Sequence, residues 1–396
     1  KYITNMANFS FQNKTVVFII KVCSLAGAER QALGLAAYLK EKYNCKIHFV
    51  ATHSNLQTEE FKKFALLCGV EKFEYYGVPS LAIRKGFSYM NLKKTLRALK
   101  YLYIVKSNIK KMKPDVIIPY MNFASKLSAL IYKDVGAKYT FWHELGESDN
   151  YYYDELEKKA VKQIPFFCAN AKDGFNTFIH KYNVQEKNCH LLTQYVSFKR
   201  VDYDNNKIRE EFNIPKDKLI YGMIAHFRDQ KHPELLMEAF SKMENNRNVH
   251  LLFLGNKDND ASTLAKYNSL VALSEKLNIK DKVSLLSGES VEKVLSIIDV
   301  GVLVSEFEGA PTVLMEYMLY GKPIIATDHV GCKLLMGESE FLVPKNDVNT
   351  LRERMISLYE NANLRESIGK EYLELVKKYS LENYCLRFKE LFEKYS

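Results

Sequence analysis

The chain has 396 residues, 47% hydrophobic and 26% charged, a balance that excludes a disordered tract and calls for more than one core. Its seven cysteines are scattered, odd in number and never in a Cys-x-x-Cys pair, which excludes a disulfide framework and a thiolate zinc site and points to a reducing cytoplasm. The net charge of +10 is local: Arg84, Lys85, Lys93, Lys94, Arg97, Lys100, Lys106, Lys110, Lys111 and Lys113 occur with no acid among them, so an anionic partner is expected at one place.

Strand-like and helix-like segments alternate along the chain. "TVVFII" (15–20) is too short to cross a bilayer and is expected as a strand, leading through a glycine loop to a helix from Ala28 to about Tyr43. "KIHFVAT" (46–52), a helix over 58–68 and a basic helical region come next. "DVIIPY" (115–120), a helix over 123–133, "KYTFWHE" (138–144), "PFFCAN" (165–170) and a helix near 172–182 complete the first half. Residues 197–218 are polar and break the alternation. "LIYGMIAHF" (219–227), "VHLLFLG" (249–255), "KVSLLS" (282–287), "VGVLVS" (300–305) and "KPIIATD" (322–328) are the strands of the second half. Helices are expected between them over 232–244, 262–277 and 291–298, and over 347–360, 364–378 and 381–395 at the end. Repeated βα units of this kind predict an α/β protein of two doubly wound parallel-sheet domains. The expected division is 14–196, 197–378, and a final helix over 379–396 that packs back on the first domain. Ligands of such sheets bind at the carboxyl ends of the strands.

At one such end stands "SEFEGAPTVLMEYMLYGKPIIATDHVG" (305–331). Pro311 is placed to be the first residue of a helix, so the amides around Gly309, Ala310, Thr312 and Val313 are donors suited to phosphate. Glu316 lies about 7 Å further along that helix, where it can accept hydrogen bonds from a ribose diol. Glu308, on the loop side, can do the same for a sugar beyond the phosphates. Taken alone, the two acids could equally be a helix-start residue and a solvated one.

The whole stretch resembles the glutamate–seven–glutamate signature of retaining glycosyltransferases of the GT-B fold, particularly glycosyltransferase family 4. It has Glu308-Gly309, Pro311-Thr312, Glu316 and the Gly321-Lys322-Pro323 turn into an apolar strand. The resemblance implies two Rossmann-like domains, the first binding acceptor and the second binding a nucleotide diphosphate sugar. It carries over to "IAHFRDQKHPELLMEAF" (224–240), where Arg228 and Lys231 match residues that hold the leaving diphosphate, while His226 stands where many relatives have Arg. "LAGAERQALGLAAYL" (25–39) is similar to the family's first loop, with Gly27 kept and Ala26 in place of its first glycine. In "TFWHELGE" (140–147), His143 matches a histidine that faces the donor sugar, with Trp142, Glu144 and Asn122 expected on the acceptor side. Gly255 and Val283 are expected beside the nucleobase.

Retention, no metal, and a front-face displacement in which Glu308 orients the sugar are what the resemblance implies. The expected activity extends a surface glycan, using a saccharide or lipid-linked saccharide acceptor. A nucleotide-sugar epimerase of the same architecture, and a non-catalytic module that binds saccharide or lipid, are the competing readings. Within 84–113, Leu92, Leu96, Leu99, Leu102, Tyr103 and Ile109 alternate with cations at helical spacing. Such a helix either lies on an anionic membrane, placing the protein at the inner face of the cytoplasmic membrane, or packs its apolar stripe on the sheet with solvated lysines. No nucleic-acid-binding module is recognisable.

Overall fold

The computed structural model describes residues 9–83, 88–145, 154–243, 248–257 and 261–395. They divide into two units: one runs to Ser197 and resumes at Leu381, the other is Phe198–Ser380.

The first unit holds strands β1 (Thr15–Ile20), β2 (Lys46–Ala51), β3 (Phe73–Tyr75), β4 (Val116–Pro119), β5 (Trp142–Glu144), β6 (Phe167–Ala169) and β7 (Cys189–Leu191). Every pairing is parallel, in the orders β3-β2-β1-β4 and β5-β6-β7. The two groups join where the Ile117 amide donates to Tyr139 O at 2.9 Å. Both faces of β1 are buried. Val16, Phe18 and Ile20 enter one core, Val17 and Ile19 the other, so the strand is apolar from Val16 to Ile20 and shows no alternation.

The helix Gly27–Tyr43 covers the first face with Ala32, Leu35 and Leu39. The final helix, Leu381–Lys394, packs on the same face: Phe388 lies 5.0 Å from Phe141 and Phe392 lies 4.9 Å from Phe9, ring centre to ring centre. On the other face lie the helices Tyr89–Met112 and Asn122–Val135. The basic helix contributes Ala98, Tyr101, Leu102, Val105, Ile109 and Met112 to that core. The single apolar stripe expected from sequence therefore divides: Leu102 and Ile109 are buried, whereas Leu92, Leu96, Leu99 and Tyr103 are exposed. Arg84 and Lys85 fall outside the described residues.

The second unit holds β8 (Leu219–Ile224), β9 (Val249–Leu254), β10 (Val283–Leu286), β11 (Val300–Leu303), β12 (Ile324–Thr327) and β13 (Leu342–Val343), all parallel. Their order, β10-β9-β8-β11-β12-β13, reverses direction between β8 and β11. That reversal is the switch point of a doubly wound sheet, where two successive crossovers leave to opposite sides and open a crevice. Two glycines bring the layers unusually close there. A Cβ on Gly301 would sit 2.4 Å from the Tyr317 ring, and one on Gly222 would sit 2.4 Å from Ile298.

Several elements differ from the sequence-based expectation. The polar stretch 197–218 contains a helix, Asn205–Glu211, whose first amides donate to the Asp204 carboxylate. "KYTFWHE" is a strand only over Trp142–Glu144. Strands β3, β7 and β13 were not anticipated: each has two or three residues and closes a sheet edge, too short for periodicity to register. Gly301→Ala should lower the stability of this unit by about 1–3 kcal/mol through overpacking against Tyr317, measured as a lower urea midpoint at unchanged m-value.

Candidate functional site

In the second unit the loops after β8 and β11 meet at the switch point. The Glu306 amide donates to Gln230 O at 2.8 Å, and His232 Nε2 lies 3.4 Å from the Glu306 carboxylate. Beside them Lys231 Nζ donates to Glu308 Oε1 at 2.5 Å, both side chains more than four-fifths buried. A turn at Asp229–Lys231 delivers the lysine, and His232, in the left-handed region with φ 48°, reverses the chain into the helix Pro233–Ser241. Arg228 is exposed at the start of that turn, and His226 is half-buried.

The helix after β11 is Thr312–Leu319. Pro311 was expected as its first residue but caps it instead: its ψ of 109° is extended, and its carbonyl accepts from the Leu314 amide at 3.1 Å. The loop Gly309-Ala310 and the amides of Thr312 and Val313 thus stand at the positive end of an eight-residue helix. Glu316 is buried, four residues beyond Thr312 and so about 6 Å along the axis. The next residue, Tyr317, fixes this register: its hydroxyl accepts from the Ile224 amide at 3.0 Å and donates to Gly222 O at 3.2 Å.

Three further residues complete the neighbourhood. Ser305, which opens the quoted stretch, is buried with its Oγ without a partner among the described residues. Gly331 lets the helix Val330–Met336 touch the Glu308 loop, since a Cβ there would lie 2.0 Å from Gly309 O. Its signal was already in the quoted stretch, as the glycine that ends it. Cys332 is buried beside the same loop, and burial, with Glu308 nearby, raises its thiol pKa to about 12, so it stays protonated.

The nucleobase-side expectation needs one correction. Gly255 does follow the carboxyl end of β9, its amide donating to Leu286 O at 3.1 Å, and a Cβ there would lie 2.5 Å from Ala225 O. Val283, however, is the first residue of β10 and pairs with Leu251. Three residues at 3.3 Å each put it about 10 Å back from the strand ends. The β10 position beside Gly255 is Leu286 to Gly288, where Ser287 Oγ accepts from the Lys257 amide at 3.2 Å.

In the first unit the carboxyl ends of β4, β5 and β6 gather buried polar groups. His143 is fully buried between Tyr120 and Phe141, with ring centres 5.0 and 5.1 Å away. Its Nδ1 lies 3.0 Å from Pro119 O. A carbonyl only accepts, so Nδ1 carries the proton and Nε2, which has no partner among the described residues, presents a lone pair. Burial lowers its pKa to about 4 despite that hydrogen bond, so the ring is neutral. Ser125 holds the strand end: its Oγ accepts from the His143 amide at 2.9 Å and donates to Met121 O at 2.9 Å.

Tyr120 Oη, Asn122 Oδ1 and Asn170 Oδ1 are likewise buried without a partner among the described residues. Asn170 was not anticipated, although it closes "PFFCAN" as a polar residue after an apolar strand. Glu144 is buried next to Gly174, whose Cβ would lie 3.1 Å from Glu144 Cγ. Trp142, expected on the acceptor side, is corrected to a core residue. Strand alternation turns it away from His143 into the opposite core, stacked on Phe167 with ring centres 5.8 Å apart.

Gly27 is exposed as the first residue of its helix, one position earlier than expected. Glu29, two residues on, is the unexpected feature. It is buried in the first turn, and desolvation pushes its pKa up to about 7 although the Glu29 and Ala26 backbone hydrogen bonds oppose this.

Comparison with known proteins places these features. Residues 204–373 match the family described as glycosyl transferases group 1. The N-acetyl-alpha-D-glucosaminyl L-malate synthase of Bacillus anthracis is 26% identical over 189 residues, 47% of each chain. The capsular polysaccharide biosynthesis glycosyltransferase CapM of Staphylococcus aureus is 24% identical over 228 residues, 53% of this chain and 57% of that one. The chain thus spans about half the length of these curated relatives. Among solved structures, Anabaena HepE in complex with UDP-glucose superposes with a TM-score of 0.77 at 14% identity, covering 96% of this chain and 100% of that chain. Residues 204–373 are thus similar to the glycosyl transferases group 1, and the chain has the GT-B fold.

Proposed function

We propose that this chain is a retaining, metal-independent glycosyltransferase that moves a sugar from a nucleotide diphosphate sugar to a saccharide or lipid-linked saccharide during surface-glycan synthesis. The observation that carries the reading is the pairing of Lys231 with Glu308 at the switch point, beside a helix mouth and the buried Glu316. These groups follow the order of the donor: carboxylate for ribose, amides and cation for diphosphate, carboxylate for sugar hydroxyls.

Arg228, Lys231 and the amides of Ala310, Thr312 and Val313 neutralise the departing diphosphate, the task a metal ion performs elsewhere. An ammonium has three donors, so Lys231 can hold Glu308 and a phosphate oxygen together and thereby set Glu308 against the sugar. The anomeric carbon–oxygen bond to phosphate breaks with its electron pair going to phosphate. The acceptor oxygen bonds to the same face, and its proton passes to the leaving phosphate. In the first unit, neutral His143 can accept a hydrogen bond from a hydroxyl at Nε2, and Asn122, Asn170 and Glu144 serve hydroxyls on the acceptor side. Similarity to an N-acetyl-alpha-D-glucosaminyl L-malate synthase and to a capsular polysaccharide biosynthesis glycosyltransferase supports a sugar donor and a glycan role.

Incubation with labelled UDP-glucose, the donor held by HepE, and then with GDP- and ADP-sugars in the presence of a membrane extract should yield labelled glycan with the anomeric configuration retained and EDTA without effect. A new nucleotide sugar formed without acceptor would instead identify an epimerase. Glu308→Gln should lower kcat by roughly 100-fold or more at unchanged melting temperature. Lys231→Ala should weaken nucleoside diphosphate binding by roughly 10- to 100-fold in calorimetry, the worth of a charge-assisted hydrogen bond.

The pH dependence follows from His143. Because its folded pKa of about 4 lies below the ordinary 6.5, the unfolded chain takes the proton first. Stability contributed by the neutral ring is therefore complete above about pH 6.5 and declines as pH falls toward 4, by about 1.4 kcal/mol per unit. Denaturant unfolding across that range should show this slope reduced in His143→Asn, while the rate of the wild type should show no break at pH 6.5 from this residue.

A further inference from the structure

The helix Tyr89–Met112 has two apolar faces, and only one is used by the fold. Ala98, Tyr101, Leu102, Val105, Ile109 and Met112 are in the core. Tyr89, Leu92, Leu96, Leu99 and Tyr103, at successive spacings of three and four, are 80, 52, 58, 54 and 73% exposed. At 100° per residue this second stripe points about 150° away from the first and runs for about 21 Å. An outward row of three leucines between two tyrosines is not a solvated surface, and it costs free energy wherever water covers it.

What covers it is indicated by charge. The helix carries Lys93, Lys94, Arg97, Lys100, Lys106, Lys110 and Lys111 and no acid. Lys93, Arg97 and Lys100 flank the exposed stripe on one side; Lys106, on the other, is paired with Asp134. A second copy of the helix would set like charges against each other along the whole seam. A nucleic acid would meet the cations but leave the leucines in water. An anionic bilayer satisfies both, with leucines below the headgroups, tyrosines at the interface and lysines on the phosphates.

We propose that the outward face of Tyr89–Tyr103 is a docking surface for the anionic leaflet of a lipid membrane. It lies flat in the headgroup layer, since among the described residues no helix is long and apolar enough to cross. The inference rests on this helix alone and stands whether or not the chain transfers sugar.

Sedimentation of the full chain with vesicles tests it. The wild type should pellet with mixed phosphatidylglycerol–phosphatidylcholine vesicles, remain in solution with phosphatidylcholine alone, and dissociate as salt is raised. Lys93→Glu/Lys94→Glu/Arg97→Glu should weaken binding at least about 100-fold. Leu92→Ser/Leu96→Ser/Leu99→Ser should do so by a similar factor, roughly 100-fold, through lost burial. Both sets change exposed side chains, so the melting temperature should not move.

Leu96→Trp provides a readout of insertion. The only native tryptophan, Trp142, is fully buried, so a blue shift on adding anionic vesicles would report position 96 entering lipid. Equal pelleting with neutral vesicles, leucine variants that bind as tightly as wild type, or a dimer in lipid-free solution that the serine substitutions dissociate would each overturn the proposal.

Discussion

The contact on which the second unit depends is the Tyr317 ring lying on the bare Cα of Gly301. No residue with a side chain fits beneath that ring, and its hydroxyl ties the Ile224 amide and Gly222 carbonyl, both on the neighbouring strand β8. One side chain thus binds the helix Thr312–Leu319 to both strands that border the switch point. The helix can neither rotate nor slide without breaking these hydrogen bonds in a buried place, where an unpaired amide or carbonyl costs about 1–3 kcal/mol. Glu316 precedes Tyr317 in sequence, so its direction is settled by the same contact. The loop before the helix is held from the other side by Gly331, whose backbone touches Gly309. Rigid placement of a carboxylate and a row of amides is what an electrostatic site requires, because donors that must reorganise lose much of their effect.

The two units handle polar groups in opposite ways. At the second unit's switch point Lys231 is paired with Glu308, and His232 faces the Glu306 carboxylate. At the first unit's strand ends the neutral His143 imidazole, the Tyr120 hydroxyl and the Asn122 and Asn170 amides keep atoms without a partner among the described residues, beside the buried Glu144 carboxylate. Burial enforces this neutrality in His143, and it draws Glu29 toward the protonated form at pH 7. Neutral donors and acceptors suit sugar hydroxyls, and paired charges suit a diphosphate. Each unit's chemistry accords with the part of the proposed reaction assigned to it.

The elements legible in the sequence were those with length or punctuation. Strands β1, β2, β4, β8, β9, β11 and β12 are largely apolar runs, and most of the long helices begin and end within one or two residues of their expected limits. What escaped notice was short or depended on a distant partner. β3, β7 and β13 take their strand form from one neighbouring strand. Trp142 looked like a site residue because it adjoins His143, yet the pleat sends neighbours to opposite faces, and sequence does not say which face is which. Val283 was placed by proximity to a glycine-containing loop, whereas register decides that it lies at the wrong end of its strand. Gly301 and Gly222 carried no local signal, since their reason is a ring and an isoleucine far along the chain. Asn170 and Gly331 were readable: each stands where a strand ends or a helix begins.

The basic helix shows where periodicity alone stops. Leu92, Leu96, Leu99, Leu102, Tyr103 and Ile109 all fit a helical repeat, and a single stripe was the simplest account. Two of them, Leu102 and Ile109, join Ala98, Tyr101, Val105 and Met112 in the core, where the small and aromatic members had gone uncounted. The remaining four define a second stripe on the opposite side, with Tyr89 added. Both stripes have the same spacing and similar residues, so hydrophobicity cannot say which faces inward. The cations decide it. Lys93, Arg97 and Lys100 lie beside the outer stripe and are all exposed, as long charged side chains must be unless paired. A core cannot accept the stripe they border without also desolvating them. Charge placement therefore fixes the rotation of this helix, and it leaves outward the one apolar face that needs a partner other than protein core.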